Sequence, residues 1–115
     1  MINRIYPNFG DKNDPCLIVA LKEALETNEI DTSSINIKAD GYIDLANARK
    51  LIKKYFPNST YEYFKKDERI GLFHFTQEGK FIILTLGHFS YLDNFINHSF
   101  YDNYFDEIVA YWKLD

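Results

Sequence analysis

The 115-residue chain holds one cysteine, one methionine, one tryptophan, three prolines and five glycines. A lone cysteine cannot close an intramolecular disulfide, so packing has to hold the fold together and nothing ties the chain to an oxidising compartment. No apolar run approaches the ~20 residues that a membrane-spanning helix requires. The opening stretch "MINRIYPNFGDKND" is polar and broken by proline and glycine, unlike the apolar core of a secretory signal. A cytoplasmic protein with no membrane partner is the expectation. Repeats and low-complexity linkers are also absent, so residues 1–115 are expected to form one domain.

Charge excludes further classes. The net charge is −4, too small in either direction to argue for nucleic acid or for a mimic of it. Basic residues gather in the middle, at Arg49, Lys50, Lys53, Lys54, Lys65, Lys66 and Arg69. Beyond residue 80 the acidic Asp93, Asp102, Asp106, Glu107 and Asp115 face Lys113 alone. That asymmetry reads as a solvated helix face opposite a more acidic sheet end. With no recognised binding motif, no nucleic-acid partner is expected. Cys16, His74, His88 and His98 show no paired ligand spacing, so neither a metal nor another cofactor is expected.

Aromatic residues are abundant at 17%, and unevenly placed. Only Tyr6, Phe9 and Tyr42 precede residue 55, which places the bulky core in the C-terminal half, on strands. The N-terminal half carries helix signals. Asp14 suits an N-cap, Pro15 the first helical position and Cys16 the second. Leu17, Leu21, Ala24 and Leu25 then repeat on one face, with Lys22, Glu23 and Glu26 on the other, until Thr27-Asn28. A second helix fits residues 45–56, with Asp44 as cap, Ala48, Leu51, Ile52 and Tyr55 as the buried stripe, and Pro57 as the stop.

After Pro57 the period changes. "TYEYF" is a short strand, and "RIGLFHFTQEG" suits a strand by alternation and a short helix by length. "KFIILTL" is apolar on both faces, as a central strand should be. "HFSYL" alternates, with His88 and Ser90 on one face and Phe89 and Tyr91 on the other. "SFYD" and "IVAYWKL" complete an antiparallel meander, with turns at Asp93-Asn94 and between Asn103 and Asp106. Helices first and strands afterwards indicate an α+β fold, an N-terminal cysteine-bearing helix packed on a C-terminal antiparallel sheet.

The placement of the single thiol frames the chemistry. In the first helical turn, unpaired N–H groups carry about half a positive charge, which favours a thiolate at Cys16. His88 ends a buried strand beside Gly87, whose small size leaves room for a partner, and is placed to take the thiol proton. Asp102, on the following strand, is a candidate to orient the imidazole. The Cys16 N–H and the side chain of Asn13 are candidate oxyanion donors. The residue types alone leave plainer alternatives open: core packing for Cys16, a structural hydrogen bond for His88 and turn chemistry for Asp102.

Together "NDPCLIVALKEAL", "GKFIILTLGHFSYLDN" and "FYDNYFDEIVAYWKL" put a helical cysteine before a strand-borne histidine and a Tyr-Asp pair. This resembles small papain-like cysteine peptidase-fold proteins of the type encoded by bacterial viruses, over residues 13–28 and 79–114. The resemblance implies Cys16 as nucleophile, His88 as general base, Asp102 as orienting acid, Asn13 or Asp14 near the oxyanion, and residence in the cytoplasm of an infected host. Pro15 stands between Asn-Asp and Cys, and "DNFINHS" replaces the tight turn of the family pattern. The function implied is a cysteine hydrolase or acyltransferase acting on an amide or thioester. Its alternative is an inactive papain-like module that binds a protein or peptide, such as a viral inhibitor of a host defence component. Tyr61, Tyr63, Tyr101 and Tyr104 offer aromatic surface for such a partner.

Overall fold

The computed structural model describes residues 15–39, 41–97 and 104–114. Helix α1 spans Cys16–Leu25 and α2 spans Leu45–Tyr55. The strands are β1 (Thr60–Tyr63), β2 (Lys80–Thr85), β3 (His88–Asp93), β4 (Ile96–Asn97) and β5 (Ile108–Lys113). The fold is α+β, in the order the sequence patterns predict. Among the described residues, no helix is long and apolar enough to cross a membrane.

Cys16 is the first helical residue of α1, one position earlier in the helix than expected, because Pro15 takes an extended ψ of 137° and stands at the N-cap. Asp14, the expected cap, lies outside the described residues. Five consecutive side chains, Leu17 to Leu21, are buried, so α1 is enclosed around most of its circumference against β3 and β2. That depth corrects one expectation. Glu23, assigned to the solvent face, is only 5% exposed. Burial first, then the nearby charges of Asp93, Glu26 and Glu23, hold the Tyr91 phenol well above its ordinary range. The helix closes with Glu26 in the left-handed conformation (φ 52°), its N–H bonded to the Lys22 carbonyl.

Helix α2 follows its sequence signals closely. The Asp44 carboxylate accepts from the Asn47 N–H at 2.8 Å, Ala48, Leu51 and Ile52 are buried, and Pro57 prevents continuation. Beyond it the sheet runs β1-β5-β2-β3-β4, with all neighbours antiparallel. A simple meander was expected, and the topology corrects it: β5 inserts between β1 and β2. The reason lies in the side chains. Ile108, Ala110 and Trp112 are buried while Val109 and Tyr111 are half-buried, so β5 needs covering on both faces. Mostly exposed β1 and two-residue β4 take the edges.

The sheet divides two apolar clusters. On one face Ile82, Phe89, Tyr91 and Trp112 pack under α1 and α2. On the other, Phe81, Ile83, Leu92 and Ile108 are sealed by Leu72 and Phe75. The ambiguous segment supplies that seal, and it is neither strand nor regular helix. Short 3₁₀ turns at Lys66–Glu68 and Leu72–His74 carry Leu72 inward, and Gly71 bridges to Glu107.

Candidate functional site

Strand pairing sets the site. Thr85 pairs with His88 at the end of the β2–β3 hairpin, and Leu86-Gly87 form the two-residue turn between them. Gly87 has φ +76°, and open space surrounds the position of its absent Cβ. Its positive φ suits the backbone of the turn, and the space around it stays open. The Thr85 Oγ1 donates to the His88 carbonyl at 3.2 Å and closes the hairpin end.

Packing α1 on β3 brings Cys16 to this same end. The thiol is half-buried, and its Sγ accepts a hydrogen bond from the Phe89 N–H at 3.3 Å. Cys16 thus touches the peptide that joins His88 to Phe89. Alternation along β3 holds as expected: Phe89 and Tyr91 lie in the cluster under the helices. Ser90 and His88 fall on the opposite pleat, where Leu92 belongs to the second cluster. The sulfur's hydrogen bond is accordingly to a backbone amide and not to an imidazole nitrogen. His88 is half-buried, and burial pushes its imidazole below the ordinary histidine range, while the Asp106 carboxylate opposes that shift. A neutral imidazole at pH 7 follows, able to accept a proton.

Of the four residues expected to share the chemistry, Cys16 and His88 stand at the same end of the sheet, on adjacent elements. Asp102 and Asn13 lie outside the described residues. Two residues that sequence reasoning did not single out matter here. Asp106, at the end of the turn that begins at Asn103, is the carboxylate that acts on His88. Arg69 had been grouped with the solvated cations, yet its Nε is buried. No local pattern marks either one, because both lie on loops outside the regular elements.

Cys16 opens into a cleft of about 300 Å³ walled by Pro15 and Leu17 of α1, Ile43 and Leu45 before and in α2, and Leu84 and Phe89 of the hairpin. Tyr42, Tyr63, Arg69 and Val109 complete its rim and side. His88 is not among the residues facing it. Tyr63 is 51% exposed at this edge. Tyr61 instead packs on Trp112, with ring centroids 5.0 Å apart, and Tyr104 packs against the second cluster. Tyr101 lies outside the described residues. Among the described residues no group of histidine, cysteine and carboxylate side chains could hold a metal ion. No family model matches the chain, nor does any curated protein or any solved structure.

Proposed function

We propose that the chain is a papain-like cysteine hydrolase or acyltransferase, with Cys16 as nucleophile, His88 as base, Asp102 as orienting acid and Asn13 at the oxyanion. One observation carries the reading: a half-buried thiol at the start of a ten-residue helix, open to a cleft, touches the His88–Phe89 peptide. The imidazole takes the thiol proton and the sulfur attacks an acyl carbon. The Cys16 N–H, which as the first helical amide has no acceptor within the helix, steadies the oxyanion. The imidazolium then gives its proton to the leaving amine or thiol, and water or an acceptor releases the acyl group from sulfur. The reaction requires the imidazole to turn over the Gly87 end of the hairpin toward the sulfur.

The second reading is the inactive binding module. It is favoured by the sulfur's bond to a backbone amide and by the absence of His88 from the cleft wall. Incubation with an acyl p-nitrophenyl ester separates the two. The enzyme reading expects steady turnover with a single acyl adduct on Cys16 by intact mass, lost in Cys16→Ala and in His88→Ala. Failure to form the adduct retires catalysis and leaves the binding module.

A further inference from the structure

The cleft beside Cys16 is lined by a cation whose Nε has no hydrogen-bond acceptor among the described residues. Arg69 follows the first 3₁₀ turn and reaches the cleft wall. Its Nε is shielded from solvent. Among the described residues no aspartate or glutamate lines the cleft. The rest of the wall is mostly aliphatic and aromatic, with Leu17, Ile43, Leu84 and Phe89 among it. A buried N–H of a charged group without an acceptor is costly to keep. Proteins retain such a group where a ligand supplies the acceptor, and a guanidinium is the side chain best matched to a carboxylate.

Two further features point the same way. The cleft volume of about 300 Å³ lies at the small end of the range for small-molecule sites, with apolar walls and few polar groups, as such sites have. The N-terminal residues of α1 face the same space, and Pro15 offers no capping side chain to their amides, so the helix adds a second positive pole. Attraction for an anion therefore comes from two sides of one apolar pocket.

We infer that the cleft binds an apolar monocarboxylate, its hydrocarbon on Leu17, Ile43, Leu84 and Phe89 and its carboxylate on the Arg69 guanidinium. This deepens the cleft's role without depending on turnover, since neither the Cys16 proton nor the His88 imidazole enters the binding. If the catalytic reading also holds, the site favours acyl groups that carry a free carboxylate.

Titration calorimetry with decanoate and with decanol, its uncharged counterpart, tests the inference on the intact wild-type protein. Decanoate is expected to bind ~10-fold or more tightly than decanol, the difference a charge-assisted hydrogen bond provides. Arg69→Met should erase that preference by weakening decanoate and sparing decanol. Adduct formation on Cys16 is scored separately from these binding constants, so failure of the catalytic reading and failure of this site read out separately. Equal binding of acid and alcohol by wild type, or binding of neither, overturns the inference. An unchanged preference in folded Arg69→Met overturns the assignment of the cation.

Discussion

Replacing Cys16 with alanine tests whether the sulfur is part of the scaffold as well as of the chemistry. The Phe89 N–H donates to Sγ at 3.3 Å, and Phe89 is only 7% exposed. Alanine leaves that amide without its partner in a mostly dry place, at a cost of ~1–2 kcal/mol. The lost sulfur contact adds a fraction of the ~0.8 kcal/mol assigned to a buried methylene, because the thiol is half-buried. A loss of about 2 kcal/mol follows, or roughly 8 °C in Tm at about 4 °C per kcal/mol for a chain of this size. Against a typical total of ~5–15 kcal/mol the protein stays folded. Serine keeps an acceptor at the same position and should recover about half the loss. Urea unfolding followed by fluorescence of Trp112, which is 2% exposed, measures both variants. A Cys16→Ala protein as stable as wild type, or a serine variant as unstable as the alanine one, would refute the claim that the sulfur anchors the hairpin.

Further outcomes are expected elsewhere. Asp44→Ala should destabilise by about 1 kcal/mol in the same assay through loss of the bond to the Asn47 N–H, while Asp44→Asn should retain most of it. Glu26→Gly should stabilise by ~0.5–1 kcal/mol, because φ is 52° at that helix end and glycine carries no penalty there. His88 has its folded-state pKa lowered by burial, so the unfolded chain binds the extra proton. Its contribution to stability is complete above the unfolded value of ~6.5 and is lost as pH falls below it, a dependence that His88→Gln should flatten in urea titrations across pH 5–8. Asp106→Asn removes the charge that opposes the shift, so the His88 titration followed by NMR should move further down.

Much of the fold was legible in the residues because it is local. The Asp44 cap, the Ala48-Leu51-Ile52 stripe and Pro57 together define α2. Two-sided apolarity placed β2 centrally, and alternation assigned Phe89 and Tyr91 to one face. The errors share a cause in long-range contact. Glu23 is buried because α1 sits deeper against β3 than its own periodicity indicates. The position of β5 between β1 and β2 depends on which strands need cover on both faces, a property of the assembled sheet. That Gly87 is a turn residue follows from the pairing of Thr85 with His88, which no single residue signals. At the site, Cys16 was readable from Pro15 and the apolar helix that follows. The Phe89 amide, Arg69 and Asp106 were not, since a backbone donor has no sequence signature and both side chains arrive on loops.

The central claim is that Cys16 is a nucleophile served by His88, and the rate of iodoacetamide alkylation of the native thiol from pH 4 to 9, in wild type and in His88→Ala, tests it most directly. The account predicts alkylation at least ~10-fold slower in the variant than in wild type, as removal of a general base requires. A thiol that reacts only at alkaline pH, at a rate indifferent to His88, would contradict it and leave Cys16 as a packing residue that holds the Phe89 amide.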